Sequence, residues 1–129
     1  MKKYLTKEQS QDLIYLGIHQ DKASFVSWKQ THNWDKKVIE DKKYHFDLKP
    51  FRPVVMGFER FECHDIFSLS DLMEIVPDNV DGNGLNIKHK DNTWIVGYYD
   101  IPDSTYISEE LIDALYHTLL WYCETFKMK

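Results

Sequence analysis

The sequence predicts an α+β domain: a small antiparallel sheet of three to four strands with an amphipathic C-terminal helix and one or two short helices packed on it. Three observations carry this expectation. Residues 85–98 alternate apolar and polar side chains about a reverse turn, residues 109–127 repeat apolar side chains at helical spacing, and Ser/Thr-led capping patterns open short helices at Thr6 and Ser68.

Thr6 and Gln9 fit a capping box, in which the hydroxyl accepts from the backbone N–H three residues on and the amide reaches back. Leu13, Ile14 and Leu16 supply the apolar side of this first helix. Gly17 stands where a left-handed residue ends it, near Leu16, with Ile18 folding over the last turn. A β-rich run around Phe25, Val26 and Trp28 predicts a strand over 24–30. Residues 31–49 sustain neither period and read as an excursion with a short strand around 44–48. Pro50 and Pro53 flank Phe51 and Arg52, so this stretch is no central strand. Residues 54–62 read as the next strand, bulged at Gly57.

Ser68 with Asp71 resembles a helix start, and Leu69, Leu72, Met73, Ile75 and Val76 make a short helix closed by Pro77. A turn-rich loop over 78–84 follows. Placing Asp91-Asn92 at a two-residue turn pairs His89 with Trp94, Ile87 with Val96 and Leu85 with Tyr98. That register gathers all six on one face, and a one-residue slip would scatter them. One or both of the strands at 24–30 and 54–62 are expected to join this hairpin in one sheet. Ser108 as N-cap, followed by Glu109 and Glu110, opens a helix to about Lys127. Its apolar arc of about 140° holds Leu111, Ile112, Leu115, Tyr116, Leu119, Tyr122, Cys123 and Phe126. Trp121 lies outside that arc beside Ala114 and Thr118, which makes the three a candidate protein interface.

A chain of 129 residues with 7 Phe, 8 Tyr and 4 Trp can fill one core, so residues 1–129 are read as a single domain. Two Cys, 5 Gly and 4 Pro exclude a disulfide knot and a low-complexity chain. The apolar runs are too short for a membrane span, and Met1-Lys2-Lys3-Tyr4-Leu5 leads straight into polar sequence, so a cytoplasmic location is expected. The net charge of −5 is unevenly spread: +1 over residues 1–28, +3 over 29–60 and −9 over 61–129. Such a division suits a charged partner, a homodimer or ordinary solvated faces.

No strong catalytic, metal or phosphate-binding motif is present, and no cofactor is expected. Asn79, Asp81 and Asn83 imitate part of a calcium loop but lack its closing Glu. The densest cluster is Glu59, Glu62, Cys63, His64 and Asp65. Cys63 and His64 would serve a small hydrolase or transferase if the chain left its strand there; otherwise neighbours on a strand point apart, with Cys63 buried and His64 exposed at a strand end. His89, beside Trp94, reads as a satisfied core imidazole, with a catalytic base as the alternative. Lys36, Lys37, Lys42, Lys43, Lys49, Arg52 and Arg60, interleaved with Trp34, Tyr44, Phe46 and Phe51, offer a basic footprint for nucleic acid over 36–60. The five acids of residues 29–60 weigh against it.

The run Leu5-Thr6-Lys7-Glu8-Gln9-Ser10 leading to Leu16-Gly17-Ile18, then Phe67-Ser68-Leu69-Ser70-Asp71-Leu72, Trp94-Ile95-Val96-Gly97-Tyr98 and Leu111-Ile112-Asp113-Ala114-Leu115, resembles a group of small phage- and mobile-element-associated proteins of gut anaerobic bacteria. The resemblance implies a shared α+β domain and carries no catalytic residues to transfer. The expected function is a non-enzymatic interaction or accessory protein, self-associating through the Trp121 flank.

Overall fold

The computed structural model of the chain describes every residue except 34, 40–42, 51–59 and 128–129. Helix α1 (Lys7–Tyr15) is bounded as its local sequence dictates. Thr6 Oγ1 accepts from Gln9 N at 3.1 Å and Gln9 Oε1 accepts from Thr6 N at 3.0 Å, which closes the capping box. At the other end Gly17 takes φ 110°, and the Gly17 and Ile18 amides donate to Ile14 O and Leu13 O, a Schellman closure. Folding back there sends Ile18 into the core beside Leu13.

After a 3₁₀ turn come strands β1 (Phe25–His32), β2 (His45–Leu48) and β3 (Arg60–Ile66). They form an antiparallel sheet in the order β2-β1-β3, with α1 packed on β3. Of the strand expected at 54–62, the part from Arg60 is described; residues 54–59, with the bulge expected at Gly57, lie outside the described residues. Helix α2 (Leu69–Ile75) starts on a second capping box made by Ser68 and Asp71.

Strands β4 (Asn79–Val80), β5 (Asn83–Lys90), β6 (Thr93–Tyr98) and β7 (Ile101–Ser108) make a second antiparallel sheet in sequence order. The β5–β6 register agrees pair for pair with the expected one, from Leu85–Tyr98 to Lys90–Thr93. Asp91 and Asn92 both have positive φ, 53° and 63°, as a type I′ turn requires. The expectation that 24–30 and 54–62 extend this hairpin is corrected: β1 and β3 pair with each other, and β7 occupies the free edge of β6 instead. The domain is α+β with two small sheets rather than one.

Helix α3 (Leu111–Tyr122) crosses β6 and β7 and runs on as a π-helical turn over Cys123–Lys127. Val96, Ile112, Leu115 and Leu119 are fully buried at this contact. Leu13, Phe67 and Leu72 extend the same core under α1 and α2. Two details of the helix depart from expectation. Ser108 pairs with Trp94 as the last residue of β7, and its Oγ accepts from Glu110 N at 3.2 Å, so the N-cap moves to Glu110. Ala114 and Thr118 are 0% exposed, because a sheet widened by β7 covers that flank as well. Thr118 Oγ1 lies 3.2 Å from Val96 O and 3.1 Å from Ser104 O, so its single proton is shared between carbonyls of two strands. Among the described residues no helix is long and apolar enough to cross a membrane.

Candidate functional site

The three-stranded sheet carries most of the chemically active side chains, and alternation along its strands sorts them onto two faces. Cys63 and Asp65 of β3 share a face with Val26 and Trp28 of β1 and with His45 and Asp47 of β2. Glu62 and His64 share the other with Ser27, Lys29 and Phe46. Cys63 and His64 therefore point away from each other, since β3 is regular through both positions. The expected burial is also reversed: Cys63 is exposed, and the His64 side chain is 16% exposed.

On the first face Cys63 borders an open depression of about 780 Å³, lined also by Asp21, Val26, Lys49, Pro50 and Asp65. Lys49 Nζ is held by Asp65 Oδ1 at 2.9 Å. Partial burial pushes the Cys63 thiol up, and the carboxylates of Asp65 and Glu62 push it further, so the protonated form prevails at neutral pH. An activated nucleophile needs the reverse. Alkylation of Cys63 by iodoacetamide at pH 7.4 is accordingly expected to be slower than that of an unstructured cysteine peptide, with the fully buried Cys123 unreactive until the protein unfolds. A rate tenfold or more above the peptide's, on the order of one unit of lowered thiol pKa, would restore the catalytic reading.

The second face holds a closed polar network. Gln11 of α1 places its amide nitrogen 2.8 Å from His64 Nδ1. The Tyr44 hydroxyl donates to Glu62 Oε2, and Lys29 Nζ lies 3.7 Å from the same oxygen. The Tyr44 hydrogen bond, reinforced by the charges of Lys29, His64 and Lys7 against a desolvation cost, holds the Glu62 carboxyl below its ordinary range. His64 Nε2, out of contact with solvent, is 3.7 Å from Glu62 Oε2, beyond hydrogen-bond reach. Lys7 and Lys29 also stand over the Tyr44 ring, at 5.5 and 4.9 Å. What this arrangement does is fasten Tyr44, at the approach to β2, onto β3 and α1. No described side chain links it to Cys63 through the sheet.

Among the described residues strand β2 is left as an edge. Its four residues are all exposed, and Phe46 and Leu48 are 42% and 65% exposed. Beneath them Phe46 stacks on Phe25 at 5.0 Å, and Tyr4 meets both rings edge-on at 4.9 and 4.6 Å. On the opposite face Trp28 stacks on His45 at 4.5 Å and donates from Nε1 to Asp47 Oδ2 at 2.7 Å. The edge is thus held in a fixed shape from both sides. The alternation of Tyr44, Phe46 and Leu48 with His45 and Asp47 carries this two-faced strand in the sequence itself.

The remaining candidates are scattered. His89 is exposed near the hairpin tip and stacks on Trp94 at 4.3 Å, so it is not a core imidazole, because α3 does not extend over that end. Trp121 is half-buried between Tyr98 and Phe126, and its proposed companions Ala114 and Thr118 lie inside the core, where they cannot form a surface. Of the basic footprint, Lys42 and Arg52 lie outside the described residues, as do Trp34 and Phe51. Lys36, Lys37 and Lys43 are exposed, with Lys37 Nζ 3.7 Å from Asp35, while Lys49 turns to Asp65. Asp81 serves the β4–β5 turn with Gly82, both at positive φ. Among the described residues no three His, Cys, Asp or Glu side chains are grouped to hold a metal ion. Comparison with protein-family models, curated proteins and solved structures finds no match to this chain.

Proposed function

We propose that this chain is a non-enzymatic interaction or accessory protein, of the phage- or mobile-element-related origin that its resemblance implies, and that it receives an extended polypeptide along β2. The observation that carries this reading is the chemistry of that edge. An edge strand presents a row of backbone donors and acceptors, and proteins commonly protect it with lysine, proline or a covering element. Here the exposed residues of the strand include Phe46 and Leu48, and no described strand pairs beyond them. Strand addition at such an edge gains main-chain hydrogen bonds and packs alternate side chains against an existing face. The aromatic group of Tyr4, Phe25 and Phe46 provides that face. The separation of Cys63 from His64 and the raised thiol pKa weigh against the hydrolase alternative.

A photoactivatable side chain introduced at position 48 tests the reading in cells producing the protein. Crosslinks to protein are expected from position 48 and not from position 88, an exposed site on the β5–β6 hairpin. Equal labelling at the two positions, or none at 48, would contradict it.

A further inference from the structure

We infer that the strand received along β2 is the β2 of a second copy of this chain, antiparallel, with Phe46 opposite the partner subunit's Phe46. This inference rests on the docking reading above and names its partner.

Symmetry removes most alternatives. A two-fold axis that joins two sheet edges in antiparallel fashion stands perpendicular to the sheet, so each residue keeps its face. Opposed residues must then share a face, which limits the strand to registers centred on His45, Phe46 or Asp47. Centring on Asp47 sets carboxylate against carboxylate and His45 against Lys49, a residue already committed to Asp65. Centring on His45 sets imidazole against imidazole and leaves Leu48 outside the paired stretch, since β2 begins at His45.

Centring on Phe46 makes every pair complementary. Phe46 meets Phe46, and Tyr44 meets Leu48 twice, all on the face that carries the Tyr4–Phe25–Phe46 rings. His45 meets Asp47 twice on the opposite face, where Trp28 already orients both side chains. Cross-strand aromatic, aromatic–aliphatic and hydrogen-bonding polar pairs of this kind each favour association. The backbone phase agrees. The Lys49 amide donates to Ser24 O at 3.0 Å, so alternation turns the amides and carbonyls of Asp47 and His45 toward β1 and those of Phe46 and Leu48 outward. The outward groups of residues 44, 46 and 48 then suit about six hydrogen bonds between the two strands. The product is a continuous six-stranded sheet built from two three-stranded ones.

Light scattering on the intact protein reads the association, and the expected result is a mass rising from 15.5 kDa toward twice that value with concentration. Leu48→Pro removes an outward N–H without touching a bond to β1, and is expected to raise the dimer dissociation constant about tenfold or more while leaving the thermal midpoint of the dilute monomer in place. Register is read by mixing two chains, both with Cys63→Ser, one carrying His45→Cys and the other Asp47→Cys. Oxidation should link the mixture and neither chain alone. Self-linking of the Asp47→Cys chain would place the axis at residue 47, self-linking of the His45→Cys chain would place it at residue 45, and either overturns the inference. So does a monomer at every concentration. In that event crosslinking of position 48 to another protein would leave the docking reading standing, and no crosslinking would end both. Leu48→Pro touches neither cysteine position, so the association test stands even if a cysteine variant fails to fold.

Discussion

Replacing Asp71 with alanine is expected to cost about 3–4 kcal/mol of folding stability, from the loss of several hydrogen bonds to a buried carboxylate. The side chain is 7% exposed and accepts from Ser24 N and Ser68 N at 2.9 Å each, and also from Ser24 Oγ. Removing it leaves these donors without their acceptor and takes the reciprocal half of the α2 capping box with it. The position also matters for architecture. Ser24 immediately precedes β1, so Asp71 ties the three-stranded sheet to the helix that packs on the main core. Asp71→Asn keeps an acceptor oxygen and should lose roughly half as much. Urea titration of the three proteins reads the difference, and a loss below about 1 kcal/mol for Asp71→Ala would mean that the sheet is not fastened there.

Gly97→Ala is expected to destabilise the second sheet by about 2–3 kcal/mol, an overpacking cost. A Cβ at that position would lie 2.5 Å from Thr105 Oγ1 and 2.8 Å from Thr105 Cα. The hydroxyl could rotate away, but the Cα belongs to β7, so the strand itself must move. The β6–β7 register shifts between Val96 and Tyr98 around this close approach. Displacing β7 would also pull Ser104 O away from Thr118, loosening α3. Thr105→Gly in the Gly97→Ala background relieves the side-chain contact and leaves the backbone one, so only part of the loss should return. Full recovery in thermal unfolding would show that the clash is with the side chain alone.

Features set by residues close together in the chain were legible in the sequence. The Thr6 capping box, the helix start at Ser68 and Asp71, the Gly17 closure and the Asp91-Asn92 turn each depend on side chains within about five residues, and each formed where it was read. What escaped were choices between distant partners. The strand signals at 24–30 and 54–62 carry nothing that says whether they pair with each other or with the hairpin, and β7 took the place beside β6. Once β7 extended through Ser108, that residue was held in the ladder opposite Trp94, and the helix began later than its capping signal suggested. The same added strand covered Ala114 and Thr118 and removed the expected interface. At the candidate site, alternation correctly set Cys63 and His64 apart. It did not show which face α1 would cover, and α1 is what half-buries His64 through Gln11.

Amide hydrogen exchange along β2, followed residue by residue by NMR, tests the open edge most directly. In dilute, monomeric protein the Phe46 and Leu48 amides should exchange at least about tenfold faster than those of His45 and Asp47, which face β1, and the contrast should fade as concentration rises. Slow exchange at all four positions at every dilution would mean that another part of the chain already covers the strand, and neither the docking surface nor the symmetric pairing could then stand.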